Sequence, residues 1–370
     1  MRIAYLSIAS PFNRSSWSGI PWYSYKEVKS RFADTHVVDT PMADHVVTRL
    51  APMAHLGVLV SREPLLARTF SRYVDRQLEA IKPDVVVAVN AAHKIAYLNH
   101  RCPIIYVADA LFSTIIDYYD QYKRLSIRTR RVGEQMQRSL INRCDLVMMA
   151  SQWAADMARR DYGVPRDRLL TVPYGANLDY DPGYRPPLTK GPLRLLFTGY
   201  AWQRKGGPLA LQIWRALRDR TGNAELHIIG CHPPEAERLE GVYVHGILNK
   251  SDPKDYGRFV DLFAQSSFFL MPSHQEAFGL VFCETAAFGR PAVAMHTGGV
   301  PTIVQDGRTG ILLPPGSPPE AYADRILATW QDPVVYAALS HAARADFETR
   351  LNWQAWGASL EDAVARIGSR

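Results

Sequence analysis

The stretch LRLLFTGYAWQRKGGPLALQIWRALRDR, residues 193–220, reads as an apolar strand from Leu193 to Thr198, a glycine-containing turn, and a long helix from Pro208 to Arg220. The same grammar extends in both directions. Downstream, short apolar runs at Leu226 to Ile229, Val242 to Val244, Phe268 to Met271, Ala292 to Met295 and Gly310 to Leu313 read as further strands. Upstream, strands are predicted at Ile3 to Ile8, Val37 to Val38, Val85 to Val89, Ile104 to Val107 and Leu146 to Ala150, with helix-like stretches at Leu65 to Ile81 and Val132 to Asn142. Strands alternating with helices imply parallel sheets covered on both faces.

The two runs are separated by Asp179 to Pro192, rich in Asp, Pro, Gly and Tyr, which cannot continue a helix or a central strand. The expected organisation is therefore α/β, with one doubly wound domain over residues 1–182 and a second over 183–352. Ligands in such folds bind at the carboxyl ends of the strands. Periodicity leaves open whether a final helix, within about 353–370, crosses back to the first domain.

Length and composition suit this plan. A chain of 370 residues is long for one ordinary core, and 47% hydrophobic with 21% charged residues is a folded composition. There is no apolar run of 18 residues, and Met1 to Leu6 reads as a first strand rather than a secretion signal, so a cytoplasmic setting is expected. Cys102, Cys144, Cys231 and Cys283 lack metal-ligand spacing and read as reduced thiols. The net charge of +7 favours phosphate-bearing partners. No nucleic-acid motif accompanies it, so nucleic acid is not expected. The densest basic stretch, Arg124 to Arg143, reads either as a solvated helix face or as a peripheral contact with the inner face of the cell membrane.

Three segments carry chemistry. In Glu276-Ala277-Phe278-Gly279-Leu280-Val281-Phe282-Cys283-Glu284, a helix starting near Gly279 would point its first backbone N–H groups at a diphosphate. Glu284 would accept from two ribose hydroxyls and Glu276 from hydroxyls of a sugar. Both acids read equally as ordinary residues favoured by the helix dipole. The second segment, Thr198 to Gly207, places Arg204 and Lys205 in a glycine-bearing loop, a natural diphosphate clamp that has neither P-loop nor GxGxxG spacing. In the third, Ser15 to Tyr23, Gly19 allows close approach of backbone to a bound group, and Trp17 and Trp22 offer stacking surfaces. Tyr118 and Tyr119 offer more.

Taken together, these residues resemble glycosyltransferase family 4, a retaining family with the GT-B fold of two Rossmann-like domains facing a central cleft. The likeness is carried by Glu276/Glu284 seven residues apart, by Lys205-Gly206-Gly207, and by TGGVPTIVQDGRTGILLPPG at 297–316. CDLVMMASQWAADMARRDYGVP at 144–165 and VPYGAN at 172–177 extend it into the first half. The resemblance implies that Glu284 binds the donor ribose, Glu276 faces the transferred sugar, and the backbone of Phe278, Gly279 and Leu280 meets sugar and phosphate. It implies that Lys205 neutralises the leaving diphosphate and that Gly19 meets the same phosphates.

Two positions depart from the family pattern. Tyr200 stands where an Arg is common, leaving Arg204 to supply the second charge. Asp109 stands where a His is common, able to accept a sugar hydroxyl, assist the acceptor or cap a helix; His93 is an alternative assistant. Asp179-Tyr180-Asp181 matches a metal-binding DxD, but it lies in the expected linker, so neither a metal nor another cofactor is expected. The activity implied is transfer of a hexose from a UDP- or GDP-sugar to a saccharide or glycolipid hydroxyl, as in polysaccharide biosynthesis. A catalytically impaired nucleotide-sugar-binding protein and a sugar-nucleotide epimerase of the same fold are the rivals.

Overall fold

The structure, a computed structural model, describes residues 1–186 and 191–368. Twelve strands form two six-stranded sheets among the described residues. The first sheet is built from β1 (Ile3–Ser7), β2 (Thr35–Val37), β3 (Val85–Val89), β4 (Ile104–Ala108), β5 (Leu146–Met149) and β6 (Leu169–Thr171), in the order β2-β1-β3-β4-β5-β6. The second contains β7 (Leu193–Thr198), β8 (Ala224–Ile229), β9 (Val242–Gly246), β10 (Phe268–Met271), β11 (Ala292–Met295) and β12 (Gly310–Leu313), in the order β12-β11-β10-β7-β8-β9. Every pairing is parallel. β3, β4, β10 and β11 are buried along their whole length, which is why their sequences are uninterrupted apolar runs instead of alternating ones.

In each sheet the strand order reverses once, between β1 and β3 in the first and between β7 and β10 in the second. A crevice opens at the carboxyl ends of strands at such a point, because the connecting segments leave toward opposite faces. The segments after β7 and β10 are the two that the sequence marks as chemical.

The chain divides into two units, one of Met1–Pro173 with the C-terminal stretch from Trp353, the other Tyr174–Asn352. This boundary lies ahead of the expected one at residues 182/183. Tyr174 is fully buried in the second unit, its ring edge-on to Phe278 at 5.2 Å, and its carbonyl faces the Cys283 thiol at 3.5 Å. Ala176 N donates to Leu351 O at 2.9 Å. Tyr174 to Asn177 is therefore built into the second unit, not hung between two. Residues 187–190 of the expected linker, and 369–370 of the final segment, lie outside the described residues.

The last helix, Trp353–Gly368, belongs to the first unit. Trp353 stacks on Tyr23 at 6.4 Å, and Arg31 bonds both Glu361 and the carbonyl of Gln354 at 2.8 Å. Gly357 permits the contact with helix Ile20–Arg31, since a Cβ there would lie 2.2 Å from the Glu27 carboxylate. Several elements extend beyond the sequence expectation, β8 and β9 by two residues each among them. β6 is too short to show as an apolar run, and helix Ile127–Arg143 begins five residues early because Ser126 Oγ caps it by accepting from Thr129 N at 3.2 Å.

Candidate active site

Within the second unit, the loop after β7 and the loop after β10 are locked together by backbone. Gly206 has φ +77°, and a Cβ on it would lie 2.0 Å from the Pro272 carbonyl oxygen, so only glycine fits where the loops cross. His274 N donates to Arg204 O at 2.9 Å, and Arg204 Nη1 donates to Gln275 O at 2.7 Å. Gly299 N donates to Glu276 O at 3.1 Å, and Thr297 Oγ1 to His274 O at 3.1 Å, which tethers the segment after β11 to the same loop.

This framework brings Lys205 and Glu276 into a direct ion pair, with Arg204 Nη1 4.0 Å from the same carboxylate. The side chains of Lys205 and Glu276 are only 15% and 10% exposed, so the pair sits in a partly desolvated pocket where charge counts for more than at a surface. Beside it, the hydroxyls of Thr198 and Ser273, one at the end of β7 and one just past β10, are buried without a hydrogen-bond partner. Two orphaned hydroxyls at the reversal point are open to a polar ligand or to water.

Gly279 caps helix Leu280–Ala287 in the left-handed conformation, φ +91°. A glycine cap offers the helix no side chain and its first turn holds no acid, so the leading N–H groups, with the positive end of the helix, face a site suited to an anion. Phe278 is buried against Tyr174 and can offer a ligand its backbone rather than its ring, while Leu280 is half-buried. One turn into the helix, Glu284 is 4% exposed. Lys250 Nζ donates to its Oε1 at 2.7 Å and lies 3.4 Å from Asn177 O and 4.2 Å above the Phe259 ring. Lys250 escaped the sequence reading. It follows the edge strand β9, in a segment with no glycine motif, and nothing in its spacing ties it to Glu284.

Tyr200, at the place of the missing Arg, is 75% exposed. The second cation of this cluster is Arg204. Asp181 of the DxD is held by Arg344, whose two Nη atoms donate to its two carboxylate oxygens at 2.6 and 2.5 Å, and this keeps the carboxyl below the usual carboxylate range. Its acceptor sites are thus committed to an arginine.

In the first unit, the sequence-marked residues gather near the β1–β3 reversal and the end of the neighbouring β4. Gly19, φ +83°, is the left-handed cap of helix Ile20–Arg31, preceded by Trp17 and Ser18, which also have positive φ. Three successive left-handed residues, two of them not glycine, make a strained turn of the kind concentrated at ligand sites. Trp17 is 53% exposed, while Trp22 is half-buried. Tyr118 packs on Tyr119 and Trp153, each at 5.1 Å, so these tyrosines form an aromatic cluster of their own. Asp109 is the first residue past β4 and is half-buried; the short helix that follows is capped at Leu111, whose N–H is taken by Thr114 Oγ1 at 2.8 Å, so Asp109 is not its cap. His93 is buried against Phe70, and burial, with Lys94 and Arg62 nearby, keeps its pKa well below the usual histidine value. It is a neutral core residue. Beside it lies a buried cation the sequence did not reveal, Lys94, paired with Asp44 at 2.7 Å and donating to Ser7 O at the end of β1.

The four cysteines are free thiols. Among the described residues, no group of three or more His, Cys, Asp or Glu is arranged to hold a metal ion, and no helix is long and apolar enough to cross a membrane.

Two doubly wound parallel units, with a cation–carboxylate pair and a glycine-capped helix start at the strand reversal of the second, are the arrangement of a glycosyltransferase of the GT-B fold. The chain belongs to glycosyltransferase family 4: residues 26–180 match the model described as Glycosyltransferase Family 4, and residues 192–332 match that of Glycosyl transferases group 1. It is 27% identical over 288 residues to the D-inositol 3-phosphate glycosyltransferase of Corynebacterium glutamicum, covering 72% of this chain and 68% of that protein. It spans 61% and 55% of the length of proteins of that name from Xylanimonas cellulosilytica and Streptomyces bingchenggensis. In fold it is similar to sucrose-phosphate synthase from Thermosynechococcus elongatus, with a TM-score of 0.71, 16% identity and full coverage of both chains. It is also similar to Anabaena HepE in complex with UDP and glucose, with a TM-score of 0.66, 15% identity and 99% coverage of each chain.

Proposed function

We propose that this chain transfers a hexose from a UDP- or GDP-linked donor to a hydroxyl of a saccharide or glycolipid acceptor, with retention of the donor's α configuration and without a metal ion. The observation that carries this reading is the Lys205–Glu276 ion pair at the β7–β10 reversal, next to the glycine-capped helix start at Gly279. An arriving diphosphate exchanges with Glu276 for the Lys205 ammonium, and its oxygens take the leading N–H groups of the helix at Leu280 and beyond. Glu276, released, accepts from hydroxyls of the sugar. Glu284, steadied by Lys250, accepts from the ribose.

In this mechanism the bond between the sugar's anomeric carbon and the diphosphate oxygen breaks, and the acceptor oxygen bonds to that carbon on the same face. The departing phosphate oxygen takes the acceptor's proton, so no enzymic nucleophile is needed. Catalysis then consists of positioning and of stabilising the leaving diphosphate by Lys205, Arg204 and the helix start. Asp109 and Gly19 serve the acceptor side and the phosphates, respectively. The work is placed on the cytoplasmic side of a membrane, where envelope glycolipid and polysaccharide acceptors are made.

Calorimetric titration of UDP, GDP and ADP into wild type and Glu284→Ala tests the donor half. Micromolar binding of one nucleotide, weakened in the variant, supports the assignment and identifies the base. Turnover is then followed with that donor and a panel of acceptors that includes D-inositol 3-phosphate, the compound in the relatives' name. Isomerised donor in the absence of acceptor would mark an epimerase, and binding without turnover a non-catalytic relative. Folded protein that binds no nucleotide sinks the reading.

A further inference from the structure

Helices Pro64–Ile81 and Ile127–Arg143 of the first unit border an open groove of about 620 Å3 floored by Ala96 to Asn99. Arg68 and Arg72 line one wall, and Asn142 and Arg143 the other. From the groove outward each helix keeps an exposed arginine stripe: Arg68 and Arg72 of the wall with Arg76 at four-residue spacing on the first, and Arg128, Arg131 and Arg138 on the second, continuing from Arg124 just before it. Among the described residues Arg72, Arg76, Arg124 and Arg131 make no ion pair, so this positive charge is not neutralised within the chain.

At the amino-terminal end of the same two helices stand three aliphatic side chains that the fold leaves in solvent. Leu56, Leu65 and Ile127 are 80%, 79% and 79% exposed. They are held near one another by backbone and ion pairing. Ser126 N donates to Gly57 O at 2.9 Å, which joins the residues following Leu56 to those preceding Ile127. Arg128 grips Glu63 through two bonds of 2.6 and 2.7 Å, which brings the start of the second helix to the start of the first, beside Leu65. Gly57, φ +81°, allows the approach, since a Cβ there would lie 3.0 Å from the Arg124 carbonyl oxygen.

We propose that this face docks on an anionic lipid bilayer, with Leu56, Leu65 and Ile127 entering the interface and the unpaired arginines on lipid phosphates. This rests on the proposed placement of the enzyme at a membrane and supplies the surface for it. Charge complementarity selects the occupant: basic residues near an anionic leaflet and a few shallow aliphatic anchors are the combination that interfacial binding uses. Nucleic acid would gain nothing from three exposed aliphatics with no aromatic platform among them. A protein partner of ordinary stability needs a larger apolar centre than three separate tips.

Co-sedimentation of the full chain with vesicles of mixed phosphatidylglycerol and phosphatidylcholine, against phosphatidylcholine alone, tests the proposal. Wild type should prefer the anionic vesicles at least about tenfold at physiological salt, since each basic residue near the surface contributes about fivefold. Leu56→Ser/Leu65→Ser/Ile127→Ser and Arg72→Glu/Arg131→Glu should each lower that partition at least about tenfold. Both variants should bind the donor nucleotide as wild type does, which shows that they are folded. Equal binding to both vesicle types, or undiminished binding by either variant, overturns the docking face. Nucleotide binding read alongside keeps the two readings apart, because its loss in wild type sinks the transferase and not the docking surface.

Discussion

Lys250 Nζ lies 2.7 Å from Oε1 of Glu284, and the carboxylate it pairs with is 4% exposed. A buried carboxylate must have partners to stay charged, and Lys250 supplies one from a loop 34 residues away in the sequence. The contact fixes the Glu284 side chain before any ligand arrives, so little ordering is left for binding to do.

Lys250→Met should therefore act through Glu284. The variant is expected to lose about 2 kcal/mol of stability in urea denaturation, because Glu284 is left buried without its cation. Its KM for the donor should rise by about tenfold while kcat falls less, since the ribose is remote from the reacting bond. Lys250→Arg should restore much of the affinity. An unchanged KM in a folded Lys250→Met protein would show that Lys250 serves only the fold.

Lys205→Ala removes the cation expected to meet the leaving diphosphate. Loss of a group aimed at developing charge lowers kcat, here by at least about tenfold. Glu276 would keep Arg204 at 4.0 Å as a weaker partner, so the protein should still fold. Full turnover in this variant, measured with saturating donor, would remove Lys205 from the mechanism.

Most strands were legible because a strand buried on both faces must be apolar at every residue, as Val85–Val89 and Phe268–Met271 are. The loops after β7 and β10 were legible because glycines and charges interrupt apolar runs at the places where strands end. The unit boundary was not. Tyr174 to Asn177 precedes the Asp- and Pro-rich run at which the sequence draws the boundary, and only the burial of Tyr174 against Phe278 assigns it to the second unit. Lys94 and Lys250 were missed for a common reason. A lysine reads as a surface residue from sequence, and both are instead held by a carboxylate distant in the chain, Asp44 and Glu284.

Gly206→Ala should damage both fold and activity. Its φ of +77° is unfavourable for alanine, and the added methyl would meet the Pro272 carbonyl oxygen at 2.0 Å. The backbone of one of the two site loops must shift to relieve this contact. Thermal denaturation should show a loss of at least about 2 kcal/mol, with weakened nucleotide binding. Gly222→Ala makes a control: its φ of +66° is also left-handed, but nothing lies within 4 Å of a Cβ there. The difference between the two variants isolates the loop crossing.

Stability should decline in mild acid. Burial, then the neighbouring His227 and Arg258, pushes His245 down from 6.5 to about 4. Its ring is stacked on His227 at 5.2 Å, with Nε2 3.0 Å from His227 Nδ1. The unfolded chain takes up a proton at this histidine near pH 6.5, whereas the folded chain does so only near pH 4. The folded state is thus favoured in full above pH 6.5 and loses ground as pH falls toward 4. Melting temperatures of wild type should fall across that window, and His245→Gln should fall less. Parallel curves for the two proteins would place the acid sensitivity elsewhere.

The enzyme should work without a divalent metal. The only DxD in the sequence places Asp181 under Arg344, which is itself 8% exposed and also donates to Ala287 O at the end of the Glu284 helix at 2.6 Å. The aspartate therefore completes a structural clamp that ties the segment after Tyr174 to helices Leu280–Ala287 and Pro333–Thr349. Arg344→Ala should cost about 1–3 kcal/mol of stability through the unpaired Ala287 carbonyl. Excess EDTA should leave turnover of wild type unchanged, because in the proposed mechanism the charges facing the diphosphate come from Lys205, Arg204 and the helix start. Turnover that collapses with EDTA and returns with Mg2+ or Mn2+ would assign leaving-group stabilisation to a metal and displace Lys205 from that role.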